Sequence, residues 1–111
     1  MPVTQPLGEL EQLILLAVLR LGADAYGLSI ARELEAQAAR KLSRGALYTS
    51  LDRLEAKGLV TSRLGEPLAV RGGRSRRYFA ITAPGLEALR HARAAFADLS
   101  RGLESVLGNG K

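Results

Sequence analysis

Apolar residues near the start of the chain recur at positions 7, 10, 13, 14, 17, 18 and 21, the i, i+3, i+4, i+7 spacing of a helix running from Leu7 to Leu21. Leu15, Leu16 and Leu19 fall on its remaining faces, so this helix must be covered on more than one side, and its extra face is expected to meet a second subunit. Gly22 supplies the residue past its end, and Gly22 to Ala25 forms a turn. A second helix is predicted over Tyr26 to Ala38, with Leu28 or Ile30, Ala31 and Leu34 inward and Arg32, Glu33, Glu35 and Gln37 outward. A third begins at the N-cap Ser43 and runs to Lys57 before Gly58 ends it. Leu47, Leu51 and Leu54 form its inward stripe. Opposite them stand Arg44, Thr49, Asp52 and Arg53, with Tyr48 at the shoulder. Such a face, rich in hydrogen-bonding groups and poor in apolar ones, has the chemistry that reads base edges and phosphates.

After Gly58 the period shortens to about two. Leu59 to Leu64 and Arg77 to Thr82 read as strands, joined by a segment holding Pro67, the Gly72-Gly73 pair and Arg71, Arg74 and Arg76. The paired glycines suit a turn that needs positive φ, and the arginines make the hairpin tip cationic. Three helices followed by this hairpin define the expected fold class: mainly α (α+β), a winged helix-turn-helix with a two-stranded wing. Thr82 then caps a long helix reaching about Leu107, with Pro84 in its first turn. Along it Leu89, Ala92, Phe96, Leu99, Leu103 and Val106 follow a 3-4-3-4-3 heptad stripe, which marks them as a dimer interface. The expected organisation is a DNA-binding domain over 1–82, a C-terminal dimerisation helix over 83–107 and a flexible tail over 108–111.

Composition narrows the function. A chain of 111 residues has room for one domain. Its longest apolar run, Leu13 to Leu19, is far shorter than a membrane span, so no membrane association is expected. There is no cysteine and a single histidine, His91, and no paired carboxylates, metal-ligand cluster or phosphate-binding glycine loop can be found. Neither an enzyme, a metal nor a cofactor is expected, and the absence of cysteine fits a cytoplasmic protein. Charge points to a partner: Arg40 to Tyr78 holds ten basic residues and three acids, whereas the flanks are slightly acidic. One concentrated basic stretch is the electrostatic footprint of a nucleic-acid-binding element.

The segments LGELEQLILL (Leu7 to Leu16), AYGLSI (Ala25 to Ile30), LSRGALY (Leu42 to Tyr48), LDRLEAKGLV (Leu51 to Val60) and GRSRRYFAIT (Gly73 to Thr82) together resemble the PadR family of bacterial winged-helix transcriptional regulators, in its short form with one C-terminal helix. The resemblance implies a homodimer packed through N- and C-terminal helices, a recognition helix in the major groove and a wing on the neighbouring backbone or minor groove. It also implies repression relieved by a small-molecule effector. By the same resemblance Ser43 to Lys57 is the recognition helix, Tyr48 contacts phosphate, and Arg74, Arg76 and Arg77 belong to a basic wing strand. Some short members hold flat aromatic drugs between tryptophans, and this chain has none. The reading is therefore a dimeric regulator, a repressor, on a pseudo-palindromic double-stranded operator. Ser43, Arg44, Tyr48, Thr49 and Arg53 act from the recognition helix and Arg71, Arg74, Arg76 and Arg77 from the wing. The alternative is a winged-helix interaction module that turns the same basic face to an acidic protein.

Overall fold

The computed structural model describes residues 6–66 and 75–108. Among them the elements run α1 (Glu9–Leu21), α2 (Gly27–Ala38), α3 (Arg44–Ala56), β1 (Val60–Leu64), β2 (Arg77–Ile81), α4 (Ala83–Ser100) and α5 (Glu104–Leu107), with a 3-10 turn at Gly22–Asp24. Local chemistry sets the boundaries. The Ser43 hydroxyl accepts the Ala46 N–H at 3.1 Å to open α3, and the Thr82 hydroxyl accepts the Gly85 N–H at 3.0 Å to open α4. At the start of α2 the Ser29 hydroxyl reaches back to accept the Tyr26 N–H at 2.9 Å. Gly58, at φ 77°, makes the left-handed turn that releases the chain from α3 into the hairpin.

α1 is the centre of the fold, touching α2, α3, α4 and β2. Its Ile14, Leu15, Ala17 and Val18 are buried with Ile30 and Leu34 of α2, Leu47, Leu51 and Leu54 of α3, and Val60, Phe79 and Leu89. Of the three residues on its surplus apolar face, Leu15 is covered within the protomer, Leu16 is half-buried and Leu19 is exposed.

The strands pair antiparallel from Val60 opposite Ile81 to Leu64 opposite Arg77. The hairpin is tied back to the turn after α1, where the Phe79 N–H donates to the Ala25 carbonyl at 2.8 Å and Tyr26 bridges to Tyr78. At the other end of β2, the Thr82 N–H donates to the Leu59 carbonyl at 3.0 Å and the Thr82 hydroxyl to the Gly58 carbonyl at 2.6 Å. Gly85 packs so closely here that a Cβ would stand 2.0 Å from the Leu59 carbonyl oxygen, which explains a glycine in the first turn of α4.

The C-terminal helix differs from expectation in two respects. It ends at Ser100 rather than near Leu107, because Gly102 takes φ 84° and the chain restarts as the single turn α5. Leu103 and Val106 therefore do not prolong the α4 stripe. Leu89, expected at the head of the dimer interface, is 3% exposed and belongs to the protomer core, and Ala92 is half-buried. Beyond them Phe96 and Leu99 are 74% and 83% exposed, with Val106, Leu107 and Leu103 also open to solvent. Arg71 and Arg74 lie outside the described residues, as does the tail after Gly108.

Candidate nucleic-acid interface

Because Leu47, Leu51 and Leu54 anchor α3 in the core, helical geometry turns its opposite face outward. Ser43, Arg44, Thr49, Asp52 and Arg53 are exposed on it, and Tyr48 is half-buried at its edge. The Tyr48 ring lies against Gly27, where a Cβ would fall 2.1 Å from the phenolic oxygen, so the first residue of α2 has to be small for the tyrosine to rest there. Tyr26, Gly27, Leu28, Arg44, Tyr48, Ser75, Arg76 and Arg77 line a cleft of about 370 Å3 between the starts of α2 and α3 and the base of the wing.

From this cleft a row of stacked side chains runs across the hairpin, two tyrosines between two arginines. The Arg76 guanidinium lies 4.3 Å from the Tyr26 ring centroid, Tyr26 meets Tyr78 edge-on at 5.6 Å, and Arg63 lies 4.8 Å from the Tyr78 ring. A guanidinium resting on an aromatic face is held in place while its in-plane N–H groups stay available to an anion. Arg63 belongs to the basic stretch of the sequence, which by itself gives it no particular role. Only the pairing of Arg63 with Tyr78 across the hairpin brings it into the row.

Arg77, expected to act from the wing, is held by partners on both sides of it. Its Nη2 donates to Glu55 Oε1 at 2.5 Å, its Nη1 to Asp52 Oδ1 at 3.1 Å and its Nε to the Ser62 hydroxyl at 3.2 Å. The guanidinium also lies 4.8 Å from the Phe79 ring. With two carboxylates against it, Arg77 shares its charge with Asp52 and Glu55 and fastens β2 to α3. Arg53 is exposed at the far end of α3, and its field reaches Glu11.

Two carboxylates, Glu55 and Glu11, give the fold an acid limit. The Ser62 hydroxyl and then Arg77 hold Glu55 below the ordinary carboxylate value. Burial works against the charge of Glu11, but the Lys57 ammonium at 2.7 Å and the Gly8 N–H outweigh it and lower its pKa as well. A carboxylate whose pKa is depressed on folding stabilises the fold above its unfolded value, and that stabilisation is lost as pH falls through the folded value. Thermal unfolding from pH 7 to pH 3 is expected to show Tm declining below about 4.5, the ordinary value for these groups. The decline should be shallower for Glu55→Gln and Glu11→Gln; an identical acid limb in the variants would contradict this assignment.

A three-helix core whose second and third helices form a helix-turn-helix, followed by an antiparallel hairpin, defines the winged helix-turn-helix class. The chain belongs to the PadR-like family of transcriptional regulators, whose family model matches residues 15–91. Solved structures agree. A PadR family transcription regulator from hypervirulent Clostridium difficile R20291 is 26% identical with a TM-score of 0.72, over 91% of this chain and 100% of that one. A PadR family regulator from Eggerthella lenta DSM 2243 is 28% identical with a TM-score of 0.65, over 91% and 88%. A PadR-like regulator from Bacillus cereus strain ATCC 14579 is 25% identical with a TM-score of 0.67, over 90% and 92%. No curated protein matches the chain. The family is one of DNA-binding regulators rather than enzymes. Among the described residues no helix is long and apolar enough to cross a membrane.

Proposed function

We propose that the chain is a homodimeric, sequence-specific repressor that acts in the cytoplasm and lays α3 in the major groove of each half of a pseudo-palindromic operator. The carrying observation is the continuity of the exposed face of α3 with the cleft of Arg44, Tyr48 and Arg76 at the start of α2. There a backbone phosphate would meet two guanidiniums, a phenolic hydroxyl and the positive end of a helix. Ser43 and Thr49 would add hydroxyl contacts, and Arg71 and Arg74 would extend the cationic surface along the wing. Arg53 would approach the backbone from the end of α3.

Apolar exposure supports the dimer. Phe96 and Leu99 project from α4 beside a groove of about 320 Å3 lined by Pro6, Leu7, Gln12, Ala88, His91, Ala92 and Ala95. Contiguous apolar surface of this kind is the mark of a protein contact, and a second copy would cover it across a two-fold axis. Release by a small-molecule effector is the mode of control that the family resemblance implies.

The test is fluorescence anisotropy against duplex from upstream of the chain's own gene and random duplex of equal length, across salt. A preference on the order of 10³-fold with a steep salt slope is expected of a specific regulator. Weak and equal binding to these and to genome-wide selected fragments would favour the interaction module instead. Arg76→Ala is expected to weaken binding to all sequences alike and to reduce the salt slope by about one, whereas Arg44→Ala should also relax specificity. Equal losses on operator and random duplex for both variants would defeat that division of labour.

A further inference from the structure

Asp52 is an anomaly on the α3 face. Its neighbours there include Arg44, Thr49 and Arg53, yet it presents a carboxylate that phosphates repel, and its side chain is 62% exposed. An exposed aspartate ordinarily swings among rotamers. This one is restrained, because Arg77 Nη1 holds Oδ1 at 3.1 Å and Arg77 is itself fixed by Glu55, Ser62 and the Phe79 ring. Among the described residues Oδ2 accepts no hydrogen bond. A group that weakens general attraction to DNA and is nevertheless held in one place is suited to selecting among bases.

We propose that Asp52 is a specificity-determining residue, a positioned acceptor that selects cytosine at one place in each half-site, with Arg77 as its positioning residue. This rests on the DNA-binding reading above. The choice of base follows from the major-groove edges. Guanine offers two acceptors and thymine an acceptor and a methyl, all of which a carboxylate avoids. Adenine offers its N6 amino donor beside its own N7 acceptor, whereas the major-groove edge of cytosine itself carries the N4 amino donor and no acceptor. An ionised carboxylate can only accept and so fits cytosine best. An amide of the same shape both donates and accepts, and so fits adenine.

The test is selection from a randomised duplex library by the full chain and by Asp52→Asn and Asp52→Ala, followed by anisotropy on the selected duplex and on one changed at the critical pair. The native chain is expected to fix cytosine at one position per half-site and to bind about tenfold more weakly when it is changed. Asp52→Asn should return adenine there and leave the rest of the motif intact, an exchange that a merely structural role would not produce. Asp52→Ala should lose the cytosine preference and bind random duplex more tightly, having lost a charge that phosphates repel. Arg77→Gln should weaken the cytosine preference without installing adenine. A native motif retained in full by both Asp52 variants would overturn the proposal while leaving the DNA-binding reading standing, as would a motif lost at many positions at once. A native chain that selects no motif would overturn both.

Discussion

A chain carrying Phe96→Asp and Leu99→Asp is expected to sediment as a monomer and to bind a two-half-site duplex at least about a hundredfold more weakly than the native chain. The two side chains are 74% and 83% exposed in the protomer, on a helix of 18 residues whose earlier turns pack against the head. Covering a Phe or Leu side chain fully is worth about 1.5–3 kcal/mol, and a two-fold axis counts each of them twice. Aspartates there would bury unpaired charges and reverse the sign of the contribution. Neither residue belongs to the core cluster, so the circular dichroism spectrum and the affinity for a single half-site should be unchanged. The double variant thus separates loss of assembly from loss of fold. Sedimentation velocity decides it: if the variant remains a dimer, the contact between subunits lies elsewhere.

The second large effect is on stability. Leu51→Ala is expected to cost about 2–5 kcal/mol, because the side chain is fully buried at the middle of α3 and deleting it removes apolar contact and leaves a cavity. A domain of this size has about 5–15 kcal/mol in total, so Tm should fall by 10 °C or more, by a rough conversion of several degrees per kcal/mol. Leu51→Met, which conserves volume, should cost less than about 1.5 kcal/mol. Urea unfolding of the three proteins measures both values. A cost for Leu51→Ala below about 1 kcal/mol would mean that α3 is not anchored through this stripe. The proposed reading face depends on that anchoring, since Thr49 and Asp52, two residues before and one after Leu51, turn outward only while it points in.

The parts of the fold legible in the chain were those governed by neighbours in sequence. Ser43, Thr82 and Gly58 mark helix ends because a cap acts within three residues, and the three-leucine stripe of α3 fixes which face is outward. Heptad spacing, by contrast, continues through Gly102 without registering that the backbone turns left-handed there. The same spacing shows that Leu89 and Phe96 share a stripe, but not that the protomer covers the one and leaves the other bare. The partners of Arg77 are hidden from the sequence for a related reason. Counted as a charge it looks like its neighbour Arg76, and only the fold brings Asp52 and Glu55, 25 and 22 residues earlier, against its guanidinium. The Arg44, Tyr48 and Arg76 cleft likewise needed Gly27 to be recognised as the floor under Tyr48, a relation between α2 and α3 that no local pattern records.

The junction at Gly58, Leu59, Thr82 and Gly85 has a consequence for the kind of DNA such a molecule can accept. Two hydrogen bonds, from the Thr82 N–H and hydroxyl to the Leu59 and Gly58 carbonyls, and one backbone contact too close for a methyl group join the exit of α3 directly to the entrance of α4. In the proposed dimer, two winged domains joined through α4 would therefore act as a calliper with a fixed opening. Sites displaced by half a turn of duplex, about five base pairs, would face away from one jaw, and this junction gives the head no hinge with which to follow them.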